Sequence, residues 1–143
     1  MARFFSKQDE EYIIDSIQEA ERMTSGEIRV HLERKLTGTI METGQKVFHK
    51  LEMTKTKQRN GVLIFLAPQH KQFAIIGDKG INERVPDNFW KDVRDIMQKQ
   101  FREGAFVEGI CDGVRLIGEK LQEYFPYEKG DENELPDEIS YGD

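Results

Sequence analysis

The sequence predicts an α/β fold, a three-layer α/β/α sandwich built on a small mixed sheet. Two observations predict it. Short apolar runs typical of strands alternate with longer segments in which apolar residues recur every three or four positions. The elements also follow the order α-β-α-β-β-α-α, with a helix between the first two strands and only a short turn between the last two.

The first helix and the first strand carry the plainest local signals. Ser6, followed by Asp9, resembles a capping box and begins a helix at about Lys7. Apolar residues then recur at helical spacing as far as Met23. The stretch "EIRVHLE", residues 27–33, alternates polar and apolar side chains, which is typical of a strand with one buried face.

The remaining elements follow in order. A loop over residues 34–44 precedes a short helix over 45–53. The apolar runs "VLIFLA" and "QFAII" are separated only by "PQHK", which predicts an antiparallel hairpin. Two long helices complete the fold: one begins near Asp87 and ends near Phe101, and the other covers residues 106–125 and ends at Pro126.

The length and the charge pattern indicate one domain followed by a tail. A chain of 143 residues with 37% apolar content fits a single domain, which we assign to residues 1–126. Seven acidic residues and one lysine lie between 126 and 143, and they account for the whole net charge of −6. Because residues 127–143 contain few large apolar side chains, we predict a flexible acidic tail there.

The composition excludes several classes of function. The acidic balance gives no support for nucleic-acid binding. No apolar run is long enough to span a bilayer and the N-terminus lacks the apolar core of a secretory signal, so we predict no membrane insertion and a cytoplasmic location. The single cysteine, Cys111, rules out a disulfide within the chain.

Strand directions predict that three polar junctions meet at one end of the sheet. A right-handed crossover makes the first two strands parallel, and the hairpin makes the third antiparallel to the second. The start of the first strand (residues 25–27), the start of the second (58–61) and the finish of the third (77–80) therefore lie together. We call this the glycine end of the sheet, because each junction contains glycine.

The glycine end is a candidate site for a divalent cation. Glu27, Asn60 and Asp78 offer the oxygen ligands that hard cations prefer, and Arg59 and Lys79 are possible contacts for an anion such as phosphate. The alternative is structural: the glycines allow tight turns, and Asp78 caps the helical turn that follows it.

Four stretches resemble the TPM domain family. They are "TSGEIRVHLE", "RNGVLIFLAP", "FAIIGDKGIN" and "FREGAFVEGICDGVRLIGEKLQEYFP", which occur in the family's order over about residues 7–126. The resemblance implies an α/β/α sandwich, divalent-cation binding and acid-phosphatase-like activity. It also implies acidic site residues at Asp78, Asp87 and Glu108, to which the strand argument adds Glu27 as a metal ligand.

Two functions from different classes remain open at this stage. The first is a metal-assisted phosphomonoesterase that holds a divalent cation, with Ca²⁺ preferred over Mg²⁺. No phosphatase signature of the form D-x-D-x-T, R-H-G or C-x₅-R is present in the chain. The alternative is a non-catalytic, cation-binding module that recognises a protein partner.

Overall fold

The computed structural model describes residues 4–128, 130 and 133–142. In chain order, its helices and strands are α1 (Lys7–Glu21), β1 (Glu27–Leu32), α2 (Ile40–Lys50), β2 (Gly61–Ala67), β3 (Gln72–Gly77), α3 (Lys79–Asn82), α4 (Lys91–Arg102), α5 (Phe106–Tyr124) and β4 (Ser140–Tyr141). All seven predicted elements are present, α3 is the helical turn that follows Asp78, and β4 was not predicted.

The four strands form one mixed sheet in the order β3-β2-β1-β4. Strand β1 runs parallel to β2, with Glu27 opposite Gly61, and β2 runs antiparallel to β3, with Val62 opposite Gly77. The predicted α/β class, the mixed sheet and the directions of the first three strands are therefore confirmed. Strand β4 adds to the free side of β1 in parallel.

The chain divides into two compact units. The sheet unit comprises Glu27–Arg84 with the C-terminal segment (residues 133–142), and it contains the sheet, α2 and α3. The helical unit comprises the residues up to Gly26 together with those from Val85 to the end of α5, and it contains α1, α4 and α5.

Within the sheet unit, α2 packs on β2 and β3 over an apolar cluster. Its buried members are Val47, Phe48, Met53, Leu63, Phe65, Ala74, Ile76 and Leu135. Every residue of β2 is buried, which explains why its sequence is a continuous apolar run.

Helix α2 begins five residues earlier than predicted. Thr39 accepts a hydrogen bond from the Glu42 amide, and the Glu42 carboxylate accepts one from the Thr39 amide, so the two form a capping box. Gly44 obscured this signal because glycine lowers helix propensity. A Cβ atom at Gly44 would lie 2.6 Å from Cδ1 of Ile76, so α2 and β3 approach closely there, and Ile76 would have to shift to admit a side chain.

In the helical unit, α5 packs between α1 and α4. Ser6 caps α1 as predicted, accepting a hydrogen bond from the Asp9 amide. At Gly113 of α5 a Cβ atom would lie 2.5 Å from the sulfur of Met97, so α4 and α5 approach closely there.

The C-terminal segment, for which the composition predicts a flexible tail, contacts the rest of the sheet unit. Leu135 is buried in the apolar cluster under α2, and Ser140–Tyr141 pair with β1. One leucine and one short strand anchor this otherwise polar stretch, and counting apolar residues cannot reveal such an anchor. Among the described residues, no helix has the length and apolar content needed to cross a membrane.

Candidate functional site

The glycine end of the sheet forms as the strand directions predict. The Glu27 amide donates to the Asn60 carbonyl over 3.3 Å, and the Asp78 amide donates to the Gly61 carbonyl over 2.9 Å. Glu27, Asn60 and Asp78 are all buried there. Residues of the three junctions therefore meet at one end of the sheet, and the contacts of each side chain determine what it can do.

Asp78 has donors on both carboxylate oxygens. Nε of Arg59 lies 2.8 Å from Oδ2, and Nη2 of Arg59 lies 2.9 Å from Oδ1, a bidentate ion pair. Oδ1 also accepts a hydrogen bond from the Lys79 amide at 2.7 Å, which makes Asp78 the N-cap of α3. The structural alternative considered for this aspartate, a helix cap, is confirmed.

The loop before β2 is tightly packed against this aspartate. Arg59 adopts a left-handed backbone conformation with φ of 52°. A side chain at Gly80 would lie 2.1 Å from the Gln58 carbonyl oxygen and 2.7 Å from that of Arg59. Only glycine permits this approach, which holds the Arg59 guanidinium against Asp78.

Glu27 is also buried, with 3% of its surface exposed, but its two carboxylate oxygens differ in their hydrogen bonds. Oε1 accepts a hydrogen bond from the Leu135 amide in the C-terminal segment. Oε2 is buried and has no hydrogen-bond partner among the described residues. A buried carboxylate oxygen without a donor is costly, so this atom needs an explanation.

The surroundings of Glu27 disfavour its charged form. Burial raises the pKa of Glu27 from 4.5 to about 7, and the negative charges of Glu134 and Asp137 act in the same direction. Hydrogen bonds from the backbone of the C-terminal segment oppose this rise in part. A positive ion beside Oε2 would supply the missing contact and offset the repulsion.

Glu27 and Asp78 lie at different strands of the sheet, and their sharing of one ion stays a prediction. They lie on β1 and just after β3, with β2 between them, so their backbones are separated by about 10 Å, two strand spacings. Within the part of the chain that the structure describes, no three His, Cys, Asp or Glu side chains are grouped so as to hold a metal ion. The predicted ligands are therefore not assembled as one cage.

The other two predicted ligands, Asp87 and Glu108, belong to the helical unit. Asp87 is exposed just before α4, and Glu108 is exposed in the first turn of α5. Unlike Glu27, neither residue holds a buried carboxylate oxygen that lacks a hydrogen-bond partner. Their role as metal ligands stays a prediction.

A cleft of about 400 Å³ adjoins Asp78 between α2 and α3. Phe48 and Ile76 supply apolar lining, and Gln45, His49 and Lys79 supply polar groups. Lys79 is exposed, and its role as an anion contact stays a prediction, whereas two nitrogen atoms of Arg59 already donate to Asp78.

Sequence reasoning missed the contribution of the C-terminal segment. Nε of Arg29 donates to the Glu138 carbonyl over 3.4 Å. Nδ1 of His31 lies 2.9 Å from the Ser140 hydroxyl, and Nε2 lies 3.1 Å from the Glu33 carboxylate. Burial lowers the pKa of His31, which favours a neutral ring that donates to Glu33 and accepts from Ser140. The polar face of β1 is therefore covered.

Cys111 is not a candidate nucleophile. It is buried in α5, and burial raises the pKa of its thiol above the ordinary value. The reactive thiolate is thus disfavoured, in agreement with the absence of a cysteine-phosphatase signature.

Comparison with known proteins identifies the family. A model of the TPM domain matches residues 1–120. The chain belongs to the TPM domain family. The NMR structure of the BA42 protein from the psychrophilic bacterium Bizionia argentinensis is 46% identical and superposes with a TM-score of 0.94, over 99% of this chain and 98% of that one. The predicted family is thus confirmed.

More distant structures share the fold of this TPM domain. The N-terminal domain of a P. gingivalis protein is 22% identical, with a TM-score of 0.68 over 85% of this chain and 78% of that one. The N-terminal domain of the cg2496 protein from Corynebacterium glutamicum is 16% identical, with a TM-score of 0.62 over 90% and 79%. No protein of curated function matched the chain.

Proposed function

We propose that this chain is a divalent-cation-binding TPM domain in which Glu27 anchors the ion. One observation carries the proposal: Oε2 of Glu27 is buried without a hydrogen-bond partner among the described residues. Calcium and magnesium ions take such oxygens as ligands, and calcium accepts carbonyl groups and water in the rest of its shell. A site with one protein carboxylate and several such ligands does not need a group of three His, Cys, Asp or Glu side chains, which is absent from the described residues.

The proposal is tested by calorimetric titration with CaCl₂ and MgCl₂. Glu27→Gln keeps the size of the side chain and its acceptor for the Leu135 amide, but it removes the charge that the ion needs. We expect affinity to fall by at least tenfold, roughly the loss of one charged ligand. Glu119→Gln, at an exposed position of α5, is the matched control, and it should bind as the wild type does. Equal affinity in Glu27→Gln and the wild type would overturn the assignment.

A metal-assisted phosphomonoesterase is the second candidate, because Lys79 lines a cleft next to the glycine end. When bound, the divalent cation would polarise a phosphoryl oxygen. The ammonium group of Lys79 would hold the phosphate, while the ion pair with Arg59 offsets the negative charge of Asp78.

This activity is tested with a generic phosphomonoester in EDTA, Ca²⁺, Mg²⁺ and Mn²⁺. We expect turnover that depends on the cation and that falls in both Glu27→Gln and Lys79→Ala. Unchanged turnover in Glu27→Gln would contradict the metal-assisted mechanism. Cation binding without turnover under any condition would instead favour the non-catalytic module that recognises a protein partner.

A further inference from the structure

The C-terminal segment lies directly over the proposed cation ligand. The Leu135 amide donates to Oε1 of Glu27, and the Leu135 side chain is 2% exposed in the apolar cluster. The Lys57 amide donates to the Glu134 carboxylate over 3.1 Å, which fixes the segment to the loop before β2. Because only 3% of Glu27 is exposed, an ion reaches it only when a neighbouring part of the chain moves, and the segment hydrogen-bonded to its carboxylate is one such part.

The same segment carries negative charge to the site. Glu134 and Asp137 both repel the charged form of Glu27. Without a cation, docking the segment brings three carboxylates into one neighbourhood and buries one of them. With a divalent cation at Oε2, the carboxylates of Glu134 and Asp137 would attract the ion. The electrostatic energy of docking the segment would then favour docking instead of opposing it.

We propose that the C-terminal segment is a cover whose docking is coupled to divalent-cation binding at Glu27. This inference rests on the proposed function. The cation draws Glu134 and Asp137 toward Glu27 and holds residues 133–142 on β1. By thermodynamic linkage, the docked segment raises cation affinity by the same factor. Arg29 and His31 hold the segment farther along β1, so docking persists in part without the ion.

Amide hydrogen exchange measures the docking of the segment separately from cation binding. The Gly142 amide donates to the Leu32 carbonyl at the far end of β1, so it reports docking rather than direct contact with the ion. We expect Ca²⁺ to slow exchange at Gly142 by about tenfold, within the usual range of coupling between two sites. In Glu27→Gln the exchange rate should be low and independent of Ca²⁺, because no buried charge opposes docking.

The reverse direction is tested with the double variant Glu134→Gln, Asp137→Asn. We expect its Ca²⁺ affinity to fall by about tenfold, since the factor must be reciprocal. The matched control is Glu119→Gln, Glu123→Gln, which removes the same charge from exposed positions of α5 and should leave affinity unchanged. Equal losses in the two double variants would show a general charge effect and overturn the proposal.

The outcomes separate this inference from the function on which it rests. If Ca²⁺, Mg²⁺ and Mn²⁺ all fail to bind the wild type, both are wrong. If Ca²⁺ binds through Glu27 while Gly142 exchanges at the same rate with and without the ion, the coupling alone is wrong.

Discussion

Two buried carboxylates at the same end of the sheet show how partners distinguish a structural acid from a candidate ligand. Asp78 meets a guanidinium and a backbone amide, so both of its oxygens are satisfied. Glu27 meets only backbone groups of the C-terminal segment, among them the Leu135 amide at Oε1, and Oε2 has no hydrogen-bond partner in the described part of the chain. Both carboxyl groups are buried, but Asp78 is held by its partners, whereas Glu27 keeps one carboxyl oxygen without a donor among the described residues.

The largest effect on stability is expected at Asp78. Asp78→Ala removes the cap of α3 and a buried carboxylate that accepts three hydrogen bonds, which should lower the free energy of unfolding by about 3 kcal/mol, while the 43% exposed Arg59 stays solvated. Chemical denaturation measures this loss, and Asp78→Asn should lose less because it keeps an acceptor for the Lys79 amide. If Asp78→Ala instead kept its stability and lost cation affinity, Asp78 and not Glu27 would be the cation ligand.

A smaller effect, dependent on pH, is expected at Glu27 in EDTA. Its pKa is about 7 in the folded protein and 4.5 when unfolded. The neutral carboxyl thus contributes its whole stabilisation below pH 4.5, and this contribution is lost as pH rises through 7. Glu27→Gln should therefore be more stable than the wild type at pH 8.5 by about 2 kcal/mol, and nearly equal at pH 4.

Denaturant titrations across this pH range test the prediction. His31 acts in the opposite direction, because a lowered pKa costs stability as pH falls through its titration. Since both proteins contain His31, its contribution cancels in the difference between them. If the difference in unfolding free energy between Glu27→Gln and the wild type did not vary with pH, the surroundings of Glu27 would not disfavour its charged form.

The smallest effects are expected at the two exposed acids of the helical unit. Asp87→Asn and Glu108→Gln should each change stability by less than about 0.5 kcal/mol, as surface substitutions usually do. Calorimetry should find the cation affinity of both variants unchanged. A clear loss of affinity in either one would instead support the four-carboxylate site that the family resemblance implies.

The sequence predicted the framework of the glycine end because that framework depends on local pattern and strand direction. Alternation in β1, the apolar runs of β2 and β3 and the short connection between them were sufficient to bring Glu27 near Asn60 and Asp78. The capping box at Thr39 was visible in the sequence, but the glycine in the following turn concealed it.

The division of roles within the site could not be predicted in the same way. Whether Arg59 reaches Asp78 depends on a left-handed residue and on the close approach of Gly80, neither of which a pattern reveals. The burial of Glu27 depends on Leu135, which is 108 residues away in the chain and lies in an acidic stretch. Long-range contacts of this kind leave no periodic signal.

The most direct test of the central claim is a Ca²⁺ titration of ¹⁵N-labelled wild type, Glu27→Gln and Asp78→Asn, followed by NMR. We predict that the wild-type shifts centre on the amides of Glu27 and Leu135, persist in Asp78→Asn and disappear in Glu27→Gln. Shifts that centre on Asp78 and Lys79, or that survive in Glu27→Gln, would contradict the assignment of Glu27 as the cation ligand.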